Sequence, residues 1–98
     1  MTVYALAQLR IHDPEPCARY MSRFMPVLEK YSGKLLAADD NPRVLEGEWW
    51  DRNKVVLMQF ADRDAFKAWA TSPEYNEIAK DRKAGADAVV LLIKGLEG

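Results

Sequence analysis

The chain has 98 residues, 49% hydrophobic and 30% charged, and its 14 basic residues against 15 acidic ones leave a net charge of −1. Near-neutrality supplies no broad attraction for phosphate backbones or anionic membranes, so no nucleic-acid and no membrane partner is expected. The hydrophobic content excludes disorder, and the length makes a single domain, residues 1–98, whose own core is modest enough that self-association would help it.

The opening MTVYALAQLR lacks the basic region, long apolar stretch and cleavage site of a secretory signal, and no segment approaches the ~20 apolar residues of a membrane span. A lone cysteine, Cys17, has no internal disulfide partner. These features together point to the cytoplasm.

In chain order, VYALAQLRI (residues 3–11) has the β-branched and aromatic content of a strand. Asp13 is placed to cap a helix, Pro14 suits its first position and Glu15 complements its positive end. That helix is expected to run to about Ser32 with Cys17, Tyr20, Met21, Phe24, Leu28 and Tyr31 on its apolar face. Pro26 lies inside it, and Gly33 is expected to end it in a left-handed conformation. KLLAA and RVLEGEW then read as strands around an acidic DDNP turn, and KVVLMQF follows, so that residues 44–60 are expected to form a hairpin. Asp62 caps a short helix with Ala65, Phe66 and Trp69 inward. Ser72 and Pro73 start another through Tyr75, Ile78, Ala79 and Arg82, and AVVLLIK (88–94) is the last strand.

The order strand, helix, strand, strand, helix, strand is the split βαβ plan of a ferredoxin-like α+β fold: an antiparallel four-stranded sheet with its helices on one face. VVLMQF and AVVLLI are apolar at odd and even positions alike, so both sheet faces must be covered. With no further element available, the cover expected for the second face is the same face of a second copy, a homodimer.

LEGEW at 45–49, VVLMQFADRDAFKAWATSPEYNEI at 55–78, Arg82, and the DP at 13–14 together resemble the domain-of-unknown-function family 1330. The resemblance spans nearly the whole chain and implies the dimeric α+β barrel superfamily. That superfamily includes cofactor-free monooxygenases, haem-degrading enzymes, lactone isomerases and ligand-sensing domains, so fold alone does not choose an activity. Trp50, directly after Trp49, departs from the family pattern.

Two residues stand out on the stripe of the last helix. Tyr75 shares a face with Ile78, Ala79 and Arg82; its ring suits the core while its hydroxyl needs a partner, as a structural or a ligand-binding residue. An unpaired Arg82 charge there would cost several kcal/mol, so it must find a carboxylate, a carbonyl or an anionic ligand, or else snorkel at the helix end. In the expected hairpin Glu46 lies beside Leu57 and is the leading internal partner for Arg82. Burial would tune it toward proton transfer, whereas pairing would keep it ionised and an edge position would leave it in water.

His12, at the end of the first strand, is the second candidate for moving a proton, with a solvent-exposed residue before the cap as the alternative. Trp69 is expected in the core, where its indole N–H suits a cavity wall. No HxH, HxxxH, CxxC, GxGxxG, phosphate loop or GxSxG is present, so no metal and no cofactor is expected. Two functions remain open from sequence: a cofactor-free enzyme with Glu46 or His12 moving a proton while Arg82 and Tyr75 hold an oxyanion, of proton-transfer or oxygenase type; or a non-catalytic metabolite-binding or stress-associated module using the same pocket.

Overall fold

A computed structural model describes residues 1–48 and 53–96 of the chain. Its elements are β1 (Val3–Ile11), α1 (Pro14–Lys30), β2 (Lys34–Asp39), β3 (Lys54–Phe60), α2 (Arg63–Ala70), α3 (Pro73–Gly85) and β4 (Ala86–Lys94). The strands form one sheet in the order β2-β3-β1-β4 with every neighbouring pair antiparallel. This is the ferredoxin-like α+β arrangement, with extents of 34 × 33 × 16 Å that suit one sheet beneath one helical layer.

Helix starts follow the capping chemistry of the sequence. Asp13 accepts from the Glu15 N–H, Asp62 from the Ala65 N–H and Ser72 from the Tyr75 N–H, each satisfying a backbone donor that the first turn leaves open. Proline opens both α1 and α3. At the end of α1 the left-handed residue is Ser32, with φ 61°, and not Gly33. The Ser32 N–H donates to the Glu29 carbonyl and the Gly33 N–H to the Leu28 carbonyl, the paired bonds of a Schellman motif one residue earlier than expected. Gly33 is needed there for space: a Cβ on it would lie 2.4 Å from Leu28 Cδ1 and 2.8 Å from Phe60 Cε1.

The expected 44–60 hairpin does not form. β2 pairs directly with β3, in a register running from Lys34↔Gln59 to Asp39↔Val55, and β1 takes β3's other edge from Val3↔Phe60 to Leu9↔Lys54. Both edges of β3 are thus occupied, and residues 43–48 are loop. Gly47, at φ 88°, turns the backbone out of the extended region, and Leu45 is 88% exposed. Trp49, Trp50 and most of the expected turn lie outside the described residues.

The core is built on the helix side of the sheet. Val3, Ala5, Ala7 and Leu9 of β1 and Val56, Met58 and Phe60 of β3 meet Cys17, Tyr20, Phe24 and Leu28 of α1, together with Trp69 and Ile78. On the opposite side no helix of the described residues packs, yet the strands still present Leu6, Val55, Leu57, Val89, Leu91 and Ile93. The first four are half-buried, while Leu91 and Ile93 remain 47% and 43% exposed. No helix among the described residues is long and apolar enough to cross a membrane.

Candidate functional site

A cavity of about 70 Å³ lies between the sheet and the helices. Its walls are mostly apolar: Ala7 and Leu9 of β1, Val56 and Met58 of β3, Ala88 and Val90 of β4, and Phe24 of α1. Polar groups enter from four elements. Cys17 and Tyr20 come from α1, Lys54 from β3, Trp69 from α2, and Tyr75 and Arg82 from α3.

The helical repeat explains the α3 pair. Tyr75 and Arg82 are two turns apart, about 10 Å along the axis, and a long side chain leans toward the N-terminus of its helix, which brings the guanidinium back toward the tyrosine. The Arg82 Nε is buried and has no hydrogen-bond partner among the described residues. Trp69 is 4% exposed and its indole Nε1 is likewise without a partner. Each such group costs the desolvation of a donor, about 1–3 kcal/mol and more for a charged one, so two on residues that line one small cavity are unusual in a core.

The tyrosines form a pair. The Tyr20 and Tyr75 hydroxyl oxygens are 3.2 Å apart, so one hydroxyl donates to the other, and their rings meet edge to face. Burial, with Tyr75 as the next contributor, pushes the Tyr20 phenol well above its ordinary value, which keeps it protonated. Burial also raises the Cys17 thiol, helped by the Asp13 carboxylate and opposed by Lys54 and Arg82; the thiol is therefore held protonated and is a poor nucleophile.

Lys54 is the site residue that the sequence reading missed. Its side chain is only 12% exposed, and its Nζ lies 3.0 Å from Oδ1 of the exposed Asp40. The signal was available, since Lys54 opens KVVLMQF on the same face as Val56, Met58 and Phe60, the even positions that face the helices. The erroneous hairpin register hid it.

Glu46 does not lie beside Leu57. Leu57 pairs with Leu6 and Ala37, while Glu46 is an exposed loop residue that does not line the cavity. The displacement of residues 43–48 from the sheet is the reason, and it removes Glu46 from the role of internal counter-ion to Arg82. His12 is exposed at the end of β1 and is also absent from the cavity wall; its backbone N–H donates to the Gly85 carbonyl. Tyr75, Trp69 and Arg82, in contrast, line one cavity. Among the described residues no group of three His, Cys, Asp or Glu is placed to hold a metal ion.

Sheet order and helical layer define a ferredoxin-like α+β protein. The chain belongs to the family described as domain of unknown function (DUF1330), which matches residues 2–96. Among solved structures it is similar to a Rhodopseudomonas palustris protein of unknown function, at 25% identity and TM-score 0.77, covering 99% of this chain and 84% of that one. A dimeric ferredoxin-like protein of unknown function from Jannaschia is 18% identical with TM-score 0.72, covering 97% and 100% of the two chains. SnoaB, a cofactor-independent oxygenase from Streptomyces nogalater, is 17% identical with TM-score 0.64, covering 99% and 95%. No curated protein matches the chain.

Proposed function

We propose that this protein is a homodimeric small-molecule-binding module whose cavity takes an anionic or carbonyl-bearing ligand. The observation that carries the reading is the pair of buried donors, Arg82 Nε and Trp69 Nε1, without a partner among the described residues, on two side chains that line one largely apolar cavity. A ligand oxygen at each would remove both desolvation penalties, and the apolar wall would strengthen the charge interaction by excluding water.

Binding without turnover is favoured over proton transfer because the acid–base candidates from the sequence, Glu46 and His12, are exposed and off the cavity wall. Among the described residues the wall carries phenols, a protonated thiol and cations, none of them a carboxylate or an imidazole. An oxygenase-type reaction is the second reading, compatible with the fold shared with SnoaB.

Arg82→Met keeps the length and apolar stem of the side chain and removes the charge. The variant is expected to fold and to lose the thermal stabilisation given to the parent by formate and acetate, the carboxylates small enough for a cavity of about 70 Å³. Retention of that stabilisation in Arg82→Met overturns the reading, as does its absence in the parent.

A further inference from the structure

Outside α1 and the chain ends, the large apolar side chains left exposed among the described residues gather at the two edges of the sheet. On the β4 edge Val90 and Leu92 are 48% and 38% exposed, beside Leu91 and Ile93; on the β2 edge Leu36 stands out, with Val44 and Leu45 in the loop that follows. Val90 and Leu92 pair in register with the buried Ala7 and Ala5, so they point to the helix side. Packing of the helix-free faces alone leaves them uncovered. Val90 also lines the cavity, which is therefore open toward β4.

The two edges carry opposite charge at one end of the sheet, where Ile11 pairs with Ala86, Leu9 with Lys54 and Asp39 with Val55. Residues 39–48, which leave β2 there, hold four carboxylates (Asp39, Asp40, Glu46 and Glu48) against Arg43, a net −3. The last turns of α3, which lead into β4 at the same end, hold Lys80, Arg82 and Lys83 against Asp81, a net +2. Glu46, Glu48, Arg82 and Lys83 have no ion-pair partner among the described residues. Two twofold axes stack the helix-free faces of two copies. An axis across the strands lays each edge over itself and carries the two loops to opposite ends, so neither loop meets the end of α3. An axis along the strands keeps the ends together and brings the β2 edge of one copy beside the β4 edge of the other, acidic loop against basic helix end.

Resting on the homodimer of the reading above, we propose that the partner completes the site: the 43–48 loop of each copy docks on the β4 edge of the other, with Leu45 on the partner's Val90 and Leu92 and Glu46 against the partner's Arg82. Leu45 follows the end of β2 by six residues, up to about 20 Å of chain, against the ~5 Å that separates neighbouring strands. Arg82 as a whole is half-buried, so its Nε stays inside while the open part of the residue meets the loop. The same contact covers the open side of the cavity at Val90 and gives Leu45 an apolar seat.

The test combines Leu45→Cys with Val90→Cys in one chain, oxidised mildly and read on a non-reducing gel; Cys17 is buried and stays out of the exchange. Within one copy β2 and β4 are three strand spacings, about 14 Å, apart, and a bridge inside a copy runs as a monomer whereas a bridge between copies runs as a dimer. The expected product is a covalent dimer, absent from Leu45→Cys with Lys67→Cys, whose second site is exposed on α2. On dilution followed by light scattering, Glu46→Arg and Arg82→Glu are each expected to raise the dimer dissociation constant about tenfold or more, and the two together to bring it back to within about threefold of the parent. A monomeric product, or a covalent dimer no more abundant than in the Lys67→Cys control, overturns the loop docking, while a parent of twice the chain mass keeps the homodimer standing. Absence of rescue in the double variant overturns the contact between Glu46 and the partner's Arg82. A monomeric parent overturns both the docking and the homodimer. If Arg82→Glu does not fold, the cross-link still decides.

Discussion

Trp69 serves packing and the cavity with different parts of one side chain. Its ring lies 5.3 Å from Phe60, 6.2 Å from Phe24, 6.0 Å from Phe66 and 4.1 Å from Tyr75, centroid to centroid, while its N–H is left over. Such aromatic pairs add about 0.5–1.5 kcal/mol each beyond the area they bury. Trp69→Ala is therefore expected to cost roughly 3–5 kcal/mol in chemical denaturation, and a loss below about 1 kcal/mol would contradict this packing. The inward position of Trp69 was legible from its spacing of three after Phe66. Its lack of a hydrogen-bond acceptor was not, because an acceptor can come from any element that folding brings near, and only the assembled core shows that none arrives from the described residues.

Helix ends carry the next scale of argument. The left-handed residue at the end of α1 is Ser32, where a Cβ is strained by about 1–2 kcal/mol relative to glycine. Ser32→Gly is expected to raise stability by up to about 1 kcal/mol, measured as a shift in denaturation midpoint at constant slope. A decrease would mean that the serine hydroxyl contributes more than the strain costs.

The same helix end is tied to the start of α3, where Glu74 accepts from the Lys30 ammonium and, at 2.9 Å, from the Tyr31 hydroxyl. The Lys30 hydrogen bond is the main cause that lowers the Glu74 carboxyl to about 2. Since the folded value lies below the unfolded one, the contribution is fully present above the unfolded value of about 4.3 and is lost as pH falls toward 2. Melting temperature is thus expected to fall more steeply between about pH 4.5 and 2 for the parent than for Glu74→Gln; parallel curves would rule the linkage out.

At the scale of the molecule, the helix-free sheet face is the surface on which the proposed homodimer rests. A sheet that met water on this side would alternate apolar and polar residues, whereas Leu6, Leu57, Val89, Leu91 and Ile93 share it. Two such faces packed together are expected to bury about 800 Å² or more per partner. Light scattering at micromolar concentration is expected to give twice the chain mass, and Leu57→Glu with Leu91→Glu to give a monomer. A parent that is folded and monomeric at that concentration would contradict the dimer.

Periodicity, caps and turn residues are local, and the sequence by itself therefore determined the four-strand, helix-on-one-face plan, the caps at Asp13, Asp62 and Ser72, and the shared stripe of Tyr75 and Arg82. Strand pairing is not local. RVLEGEW has the residue types of a strand, but β3 has two edges, and only the tertiary structure decided that β1 and β2 take them. That choice left Glu46 off the cavity wall and put Lys54 on it, because one shift in which segments pair changes every side chain that a sheet face presents.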